Sequence, residues 1–511
     1  MGPTSMDAAI DRNPTNSFIL LLREQANLRN AASLPRGPER KSFVWERLQE
    51  TARASQPDVL AAIEELQAGG LVRRVETFTS PNAIVVEAPN ARGRSELLGA
   101  LQALDGVKAI HDAQRGTDVT ELAPETFPLL PDDEPSWGLD VVPGSLRELP
   151  DSGTQGPALH DGPVDGLEQA WGVELMGAAQ AWERGATGAG LVYGSVDTGV
   201  QWDHEALRHA YRGFDADSGE VSHDYSWFDA NLRPSSEPQD RNGHGTHTIG
   251  SVLGRSATTA WGVAPEASFI AANALTSMGT EGIMRSLEWM QAPTRIDGSD
   301  PDPTKAPDVV GMSFWNGEPW GRLHEDSMRN LAAAGIEPVK SAGNRGPGPE
   351  SVTSPGQFRD VHTVAAVDRD GEIARFSSRG PSPLRHDRST PQWKPDLAAP
   401  GVDVPAPIPG NRYGSKSGTS MAQPHVAGAI LSVLSKHPTL DGRDLRLALA
   451  AGSIDAGARG RDLEFGWGIS NLPATLDAAE AIERGERPNP TSRDLADEFA
   501  DRSRDEPPAG S

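Results

Sequence analysis

The chain of 511 residues has no cysteine. Disulfides, thiolate nucleophiles and cysteine-bound metals are therefore excluded. That fits a reducing compartment, and equally the many secreted bacterial enzymes that lack cysteine. Lysine is scarce too, with 7 residues against 40 arginines. The 72 acidic and 47 basic side chains give a formal net charge of −25 and an isoelectric point of about 4.9. Phosphate repels such a surface, which argues against nucleic-acid binding. The acid excess and the arginine bias fit a salty habitat and, equally, a GC-rich genome. Aromatic residues make up only 5% and hydrophobic residues 37%, so a globular protein with long polar segments is expected. No apolar run approaches the roughly 18 residues of a membrane span. The start, MGPTSMDAAIDRNPTNS, has no basic region followed by an apolar stretch, so no secretory signal peptide is read there. The expectation is a protein that stays inside, leaves by another route or has lost its true start. No internal repeat is present.

What is there divides into five parts. Residues 1–16 read as a disordered N-terminus. Residues 17–113 read as one small α/β domain. In it FILLL (18–22), LVRRVETF and NAIVVEA are strand candidates, and VKAI a last strand. Phe43, Val44, Trp45 and Leu48, then Val59, Leu60, Ile63 and Leu66, give two helical patterns, and Leu97, Leu98, Leu101 and Leu104 a third. Residues 114–168 hold 12 acidic side chains, 2 basic ones and 8 prolines, too little apolar surface to fold alone, so an exposed linker is expected. Residues 169–484 alternate apolar strands (191–196, 267–275, 308–314, 336–342 and 362–367) with helical patterns. That alternation predicts an α/β fold, a mostly parallel sheet covered by helices on both faces, with reactive groups at the carboxyl ends of its strands. The tail 485–511 reads as disordered and acidic.

Four stretches could carry chemistry. Asp197 ends an apolar strand, where a carboxylate is costly unless partnered. Its DTG resembles an aspartic-protease motif. However, the DSG at Asp151 lies in the proline-rich linker, the one at Asp217 is only 20 residues on, and the domain is not all-β. In DRNGHGTHTIG (240–250) the glycines beside His244 leave its ring unobstructed. Zinc at His244 and His247 lacks an H-E-x-x-H pattern and a third ligand; His247 and His425 read as structural. Ser420, in SGTSMAQPHVAGAI, opens a predicted helix and could be only a cap. A serine nucleophile needs a base, and the base an orienting acid, so Asp197, His244 and Ser420 are the three types required. Asn344, in VKSAGN, is either a turn residue or an oxyanion donor acting with the Ser420 backbone N–H.

Together SVDTGV, NGHGTHTIGSV and SGTSMAQPHVAGAI, in that order, resemble the subtilisin-like serine protease family, as do GVAPEAS, SAGN and KPDLAAPGV. The resemblance spans about Trp171 to Leu476. VQWDHEAL, YSWFDA, LEWMQAP and APDVVGMSFW are similar to the bacillopeptidase F-like branch. NAIVVEAP and LDGVKAIHDAQ make 17–113 similar to the family's inhibitor-I9-like propeptide, a folding chaperone and inhibitor. The resemblance implies a serine endopeptidase made as a self-inhibited precursor. Asp197 orients, His244 acts as base then acid, Ser420 attacks, and Asn344 holds the oxyanion. Ser313, Phe314 and Gly343 become substrate-binding positions, Ser313 on an edge strand that pairs with substrate backbone. Self-cleavage in the linker is expected. Protein or peptide substrates, the chain's own propeptide in cis, no membrane span and a monomeric state follow as expectations. No cofactor is required for the chemistry. Structural calcium is common in the family, but no complete ligand set maps here. The family is typically exported. Two departures stand out: SFWNG after Ser313, where Phe314 and Trp315 are placed to narrow the primary pocket, and Lys340, four residues before Asn344. The competing reading is a catalytically inactive protease-like binding protein.

Overall fold

The computed structural model describes residues 16–113, 166–231, 233–275, 279–314, 322–384 and 392–490, with backbone alone for 117–118, 137–139, 147–148 and 315–316. Of the segments read as disordered, residues 1–15 and 491–511 lie outside the described residues, as does most of the linker.

The first domain runs β1 (Ser17–Leu22), α1 (Pro38–Ala68), β2 (Arg74–Phe78), β3 (Ala83–Glu87), α2 (Arg94–Leu101), β4 (Val107–Asp112) and β5 (Thr117–Asp118). The strands form an antiparallel sheet in the order β2-β3-β1-β4-β5. Alternation along β1 assigns its two faces. Phe18, Leu20 and Leu22 pack with Val59, Ile63, Leu97 and Leu101 of the helices. Ile19 and Leu21 pack with Met284 and Leu323 of the second domain. A strand buried on both sides explains the unbroken run FILLL. The two helical patterns expected at 43–48 and 59–66 are corrected to one helix of 31 residues containing Pro57. Pro57 removes a single backbone hydrogen bond, while both halves are held by burial. Val44, Trp45 and Leu48 are buried against the second domain, and Val59 and Ile63 against the small sheet.

Two short strands follow, β6 (Trp137–Leu139) and β7 (Arg147–Glu148). Then come β8 (Glu168–Gln169), α3 (Trp171–Leu175), α4 (Ala178–Glu183), β9 (Val192–Asp197), β10 (Trp227–Asp229) and α5 (His244–Leu253). After these run β11 (Thr259–Ala260), β12 (Ser268–Asn273), α6 (Gly279–Gln291), β13 (Val309–Met312), β14 (Phe314–Asn316) and α7 (Glu325–Ala333). The chain continues through β15 (Glu337–Ser341), β16 (His362–Val367), β17 (Leu397–Pro400), β18 (Val404–Ile408) and β19 (Arg412–Lys416). It closes with α8 (Thr419–Lys436), α9 (Gly442–Gly452) and α10 (Leu472–Glu483).

The main sheet has the order β10-β12-β9-β13-β15-β16-β17, and every pairing is parallel. Its strands are buried throughout, as parallel strands covered on both faces must be. Tyr193, Val309, Val339 and Val364 pack with α5 and α8 on one face. Val196, Ile270, Val310 and Met312 pack with α6 and α7 on the other. From β9 the chain builds outward to β10 and β12, then returns to lay β13 on the opposite side of β9. That reversal opens a crevice at the carboxyl ends of β9 and β13. Asp197 ends one of these strands and Ser313 follows the other.

The small domain is tied to α6 and its surroundings by charge as well as by apolar contact. Arg285 grips Glu76 from Nε at 2.6 Å and from Nη2 at 2.5 Å, and Arg74 pairs with Glu281. Arg36 meets Glu337 at 2.7 Å and Lys41 meets Asp308 at 2.8 Å. The N–H groups of Thr79 and Ser80 donate to Glu288 Oε2 at 3.0 and 3.3 Å.

Candidate active site

His244 is the first residue of α5, behind Gly243 in the left-handed region at φ +80°. Its Nδ1–H donates to Asp197 Oδ1 at 2.7 Å, and both side chains are buried. The same carboxylate accepts from the Thr198 N–H at 2.7 Å and, on Oδ2, from the Thr248 hydroxyl at 3.3 Å. The bond to Asp197 fixes the tautomer, leaving Nε2 as the free lone pair. His244 Nε2 is buried and has no hydrogen-bond partner. The approach of α5 to the strand end depends on Gly245, where a Cβ would collide with the Gly199 carbonyl and sit 3.3 Å from Asp197 Cβ.

The loop before His244 hangs on a residue to which the sequence reading gave no role. Asp240 accepts from Gly243 N at 2.7 Å, Thr246 N at 2.9 Å, Thr246 Oγ1 at 2.7 Å and Thr198 Oγ1 at 2.9 Å. Lys416 Nζ donates to the Gly243 carbonyl at 2.9 Å. His247 Nε2 faces the carbonyls of Val404 and Gly414, tying α5 to β18 and β19. Burial, with Lys416 and His244 nearby, holds its pKa well below the ordinary value. His425 bonds the Met421 carbonyl through Nδ1 at 2.8 Å, and burial lowers its pKa to about 4. Both histidines thus do structural work. Among the described residues no group of three or more His, Asp or Glu that could hold a metal stands together.

Ser420 is the second residue of α8, whose N-cap residue, Gly418, has no side chain to cap it. Its hydroxyl donates to the Ser313 carbonyl at 2.9 Å. Pro424, one turn on, lacks the N–H that would bond the Ser420 carbonyl. The Ser313 hydroxyl supplies that donor at 3.2 Å while also reaching Gln423 Oε1 at 3.0 Å. A proline inside the helix thus frees a carbonyl that pins the nucleophile to the strand beside it. Ser420 and His244 are both 0% exposed.

Asn344 follows Gly343, which sits at φ +107° with Thr353 Cγ2 only 2.6 Å from where a Cβ would lie. Thr419 organises this corner. Its N–H and hydroxyl both donate to Asn344 Oδ1 at 3.0 Å, and its hydroxyl accepts from the Gly343 N–H at 3.1 Å. Held by its oxygen, Asn344 presents a buried Nδ2 with no partner. Thr419 went unread in the sequence, although its place between Gly418 and Ser420 at a helix start was the available signal. Phe314 turns its ring into the cluster containing Met312, Leu331 and Phe358. The side chain of Trp315 lies outside the described residues.

An imidazole held by the carboxylate at the end of β9 and a serine held by the residue after β13 thus stand at the ends of adjacent strands, with the unpartnered amide of Asn344 tied to Thr419 beside that serine. The Peptidase_S8 profile, described as the subtilase family, matches residues 188–468. The chain belongs to the subtilase family. By class this subtilase is a subtilisin-like serine endopeptidase, and its parallel sheet is the expected subtilisin-like α/β architecture. It is similar to bacillopeptidase F of Bacillus subtilis (strain 168), 30% identical over 78% of this chain and 26% of that protein. It is also similar to subtilisin DY of Bacillus licheniformis, 32% identical over 60% of this chain and 97% of the relative. Subtilisin Savinase of Lederbergia lenta is 30% identical over 60% and 97%. This subtilase thus spans about a quarter of bacillopeptidase F and nearly all of the two subtilisins. Among the described residues no helix is long and apolar enough to cross a membrane.

Proposed function

We propose that this subtilase hydrolyses peptide bonds in proteins through Asp197, His244 and Ser420, and that the full chain is a self-inhibited precursor acting as a monomer. The observation that carries the catalytic reading is the 2.7 Å Asp197–His244 bond with Nε2 left unpartnered. Substrate binding brings Nε2 to the Ser420 hydroxyl and the Asn344 Nδ2–H₂ to the scissile carbonyl oxygen. His244 takes the hydroxyl proton as Ser420 Oγ attacks. Asn344 Nδ2 and the Ser420 N–H hold the oxyanion, and the protonated imidazole hands its proton to the leaving amine. Water then releases the acyl group from Ser420 by the reverse sequence. All the groups needed are side chains and backbone of this chain.

The precursor reading is supported by what lies over the site. β6 pairs antiparallel with β14, with Phe314 opposite Leu139, Trp315 opposite Gly138 and Asn316 opposite Trp137. An N-terminal segment of the chain therefore occupies the edge on which substrate backbone would be laid. The docked small domain, read as the propeptide, and the complete burial of Ser420 and His244 agree with this.

One observation favours the inactive binding protein: the Ser420 hydroxyl donates to Ser313, not to His244. A hydroxyl rotates about a single bond, however, and catalytic hydrogen bonds often tighten only around substrate. Incubation with a fluorophosphonate tests the two readings. Labelling of Ser420 in self-processed protein, lost in Ser420→Ala, is expected alongside hydrolysis of casein. Processed protein that neither labels nor hydrolyses overturns the catalytic reading. Self-shortening of pure Ser420→Ala protein overturns the self-processing reading.

A further inference from the structure

Lys416 is a buried cation to which the proposed chemistry gives no task. It is the last residue of β19, and from it the chain passes through Ser417 and Gly418 into α8 and Ser420. Its side chain crosses instead to the start of α5, where Nζ donates to the Gly243 carbonyl at 2.9 Å. Asp240 takes the N–H of the same glycine at 2.7 Å. The residue next to His244 is thus held on one side by a carboxylate and on the other by an ammonium. A second tie runs beside the first. His247 Nε2 faces the Val404 and Gly414 carbonyls at 3.0 and 3.1 Å, and Val404 stands opposite Lys416 in the register of β18 and β19. The strand that leads to the serine is in this way fastened to the helix that carries the base.

Two buried carboxylates stand around this link. Asp197, from β9, bonds His244 directly. Asp240 reaches the first turn of α5 through the Thr246 N–H at 2.9 Å. A carboxylate beside an imidazole favours its protonated form, which cannot serve as a base. Lys416 is the cation set among them. Burial lowers its pKa from the ordinary 10.5, while Asp240 and then Asp197 hold it up. Its field is felt inside α5, since after burial it is the next cause of the lowered His247 pKa. The ionisable groups that face it from neighbouring elements are Asp197, Asp240, His244 and His247, and its own hairpin carries Asp403, Arg412 and Tyr413. β7 pairs by backbone with Gly414 and Ser415 of the same strand, and its side chains lie outside the described residues.

We infer that Lys416 is a positioning residue for His244, and that its charge keeps the imidazole available as a base at lower pH than the two carboxylates alone would allow. The inference rests on the hydrolytic reading above. Lys416 acts through the Gly243 carbonyl and through its field, not on the reacting atoms. With the cation in place, protonating His244 sets a second positive charge near the first, and low-dielectric surroundings make that costly. With the cation removed, the opposing field of Asp197 and Asp240 is left uncompensated, and the base is lost at a higher pH.

The test uses the full chain after self-processing. The rate of Ser420 labelling by a fluorophosphonate, and kcat/KM on a peptide ester, are followed down the acid limb of the pH profile. Lys416→Gln keeps a donor but loses the charge, and is expected to raise the acid-side midpoint by roughly half to one pH unit. Lys416→Arg keeps the charge and is expected to leave the midpoint close to that of the wild type. A purely structural post would lower the rate at every pH and leave the midpoint unmoved. That result in Lys416→Gln overturns the inference alone, as does a midpoint that falls, or one that Lys416→Arg raises as far as Lys416→Gln does. Should Lys416→Gln fail to label at any pH, Lys416→Met takes its place with the same expected shift, since it leaves no buried polar group behind. If neither charge-free variant labels, Lys416 is a structural post only and the inference falls. Wild-type protein that neither labels nor hydrolyses the ester overturns the hydrolytic reading, and this inference with it.

Discussion

Replacing Glu288 by glutamine is expected to tighten the docking of the small domain and to abolish much of its pH dependence near neutrality. In the docked form, burial pushes the Glu288 carboxyl up to about 7 from an ordinary 4.5. The N–H groups of Ser80 and Thr79 oppose the rise and Glu76 adds to it. The docked state then binds a proton that the separated state does not, so docking strengthens as pH falls through about 7 and weakens as pH rises through it. From pH 8 to pH 6.5 the gain is about fourfold in affinity. Below the ordinary histidine value of 6.5 His324 works against it, since burial, then the nearby His111, lowers its pKa to about 3 in the docked form. The useful window is therefore pH 8 to 6.5. At pH 8 the ionised Glu288 weakens docking by roughly 3 kcal/mol, so the isosteric Glu288→Gln is expected to bind up to about a hundredfold tighter there. The assay takes Ser420→Ala protein carrying one fluorophore on each domain, nicks the linker with an added protease, and follows separation on dilution. Weaker docking of Glu288→Gln at pH 8, or a slope equal to that of the wild type, refutes the reasoning.

Asp197→Asn frees the imidazole to take the wrong tautomer, and kcat is expected to fall by about ten-thousandfold, a magnitude carried over from serine proteases with the same triad. Asn344→Ala removes the unpartnered Nδ2. A loss of about a hundred- to a thousandfold in kcat with little change in KM is expected, as in subtilisin itself, and steady-state kinetics on a peptide ester reads both. Gly343→Ala places a methyl group against Thr353 at a φ of +107°; a destabilisation of about 1–3 kcal/mol is expected, read as a lowered Tm in the Ser420→Ala background.

Much of the architecture was legible because period and composition carry it. HTVAAV is β16 residue for residue, and the other expected main-sheet strands differ from the structure mainly at their ends. The stretch 308–314 is the exception, breaking at Ser313 into β13 and β14. That break is where the chain leaves the main sheet to pair with β6, and no periodicity marks it. The single α1 was misread as two helices because Pro57 interrupts its pattern, whereas burial on two different surfaces holds it together. Asp197, His244 and Ser420, the residues of the proposed triad, stand out in the sequence by residue type and local glycine pattern.

The sequence by itself determined the α/β alternation and supplied the residue types proposed to react. These depend on interactions among residues close in the chain and on chemistry that each side chain carries alone. Only the tertiary structure decided which groups meet: Asp197 with His244 across 47 positions, Ser420 with Ser313 across 107, and Asn344 with Thr419 across 75. It also set the small sheet against α6 and paired β6 with β14. Such contacts form where loops close and buried polar groups must find partners, a condition on the whole fold that no stretch of sequence states.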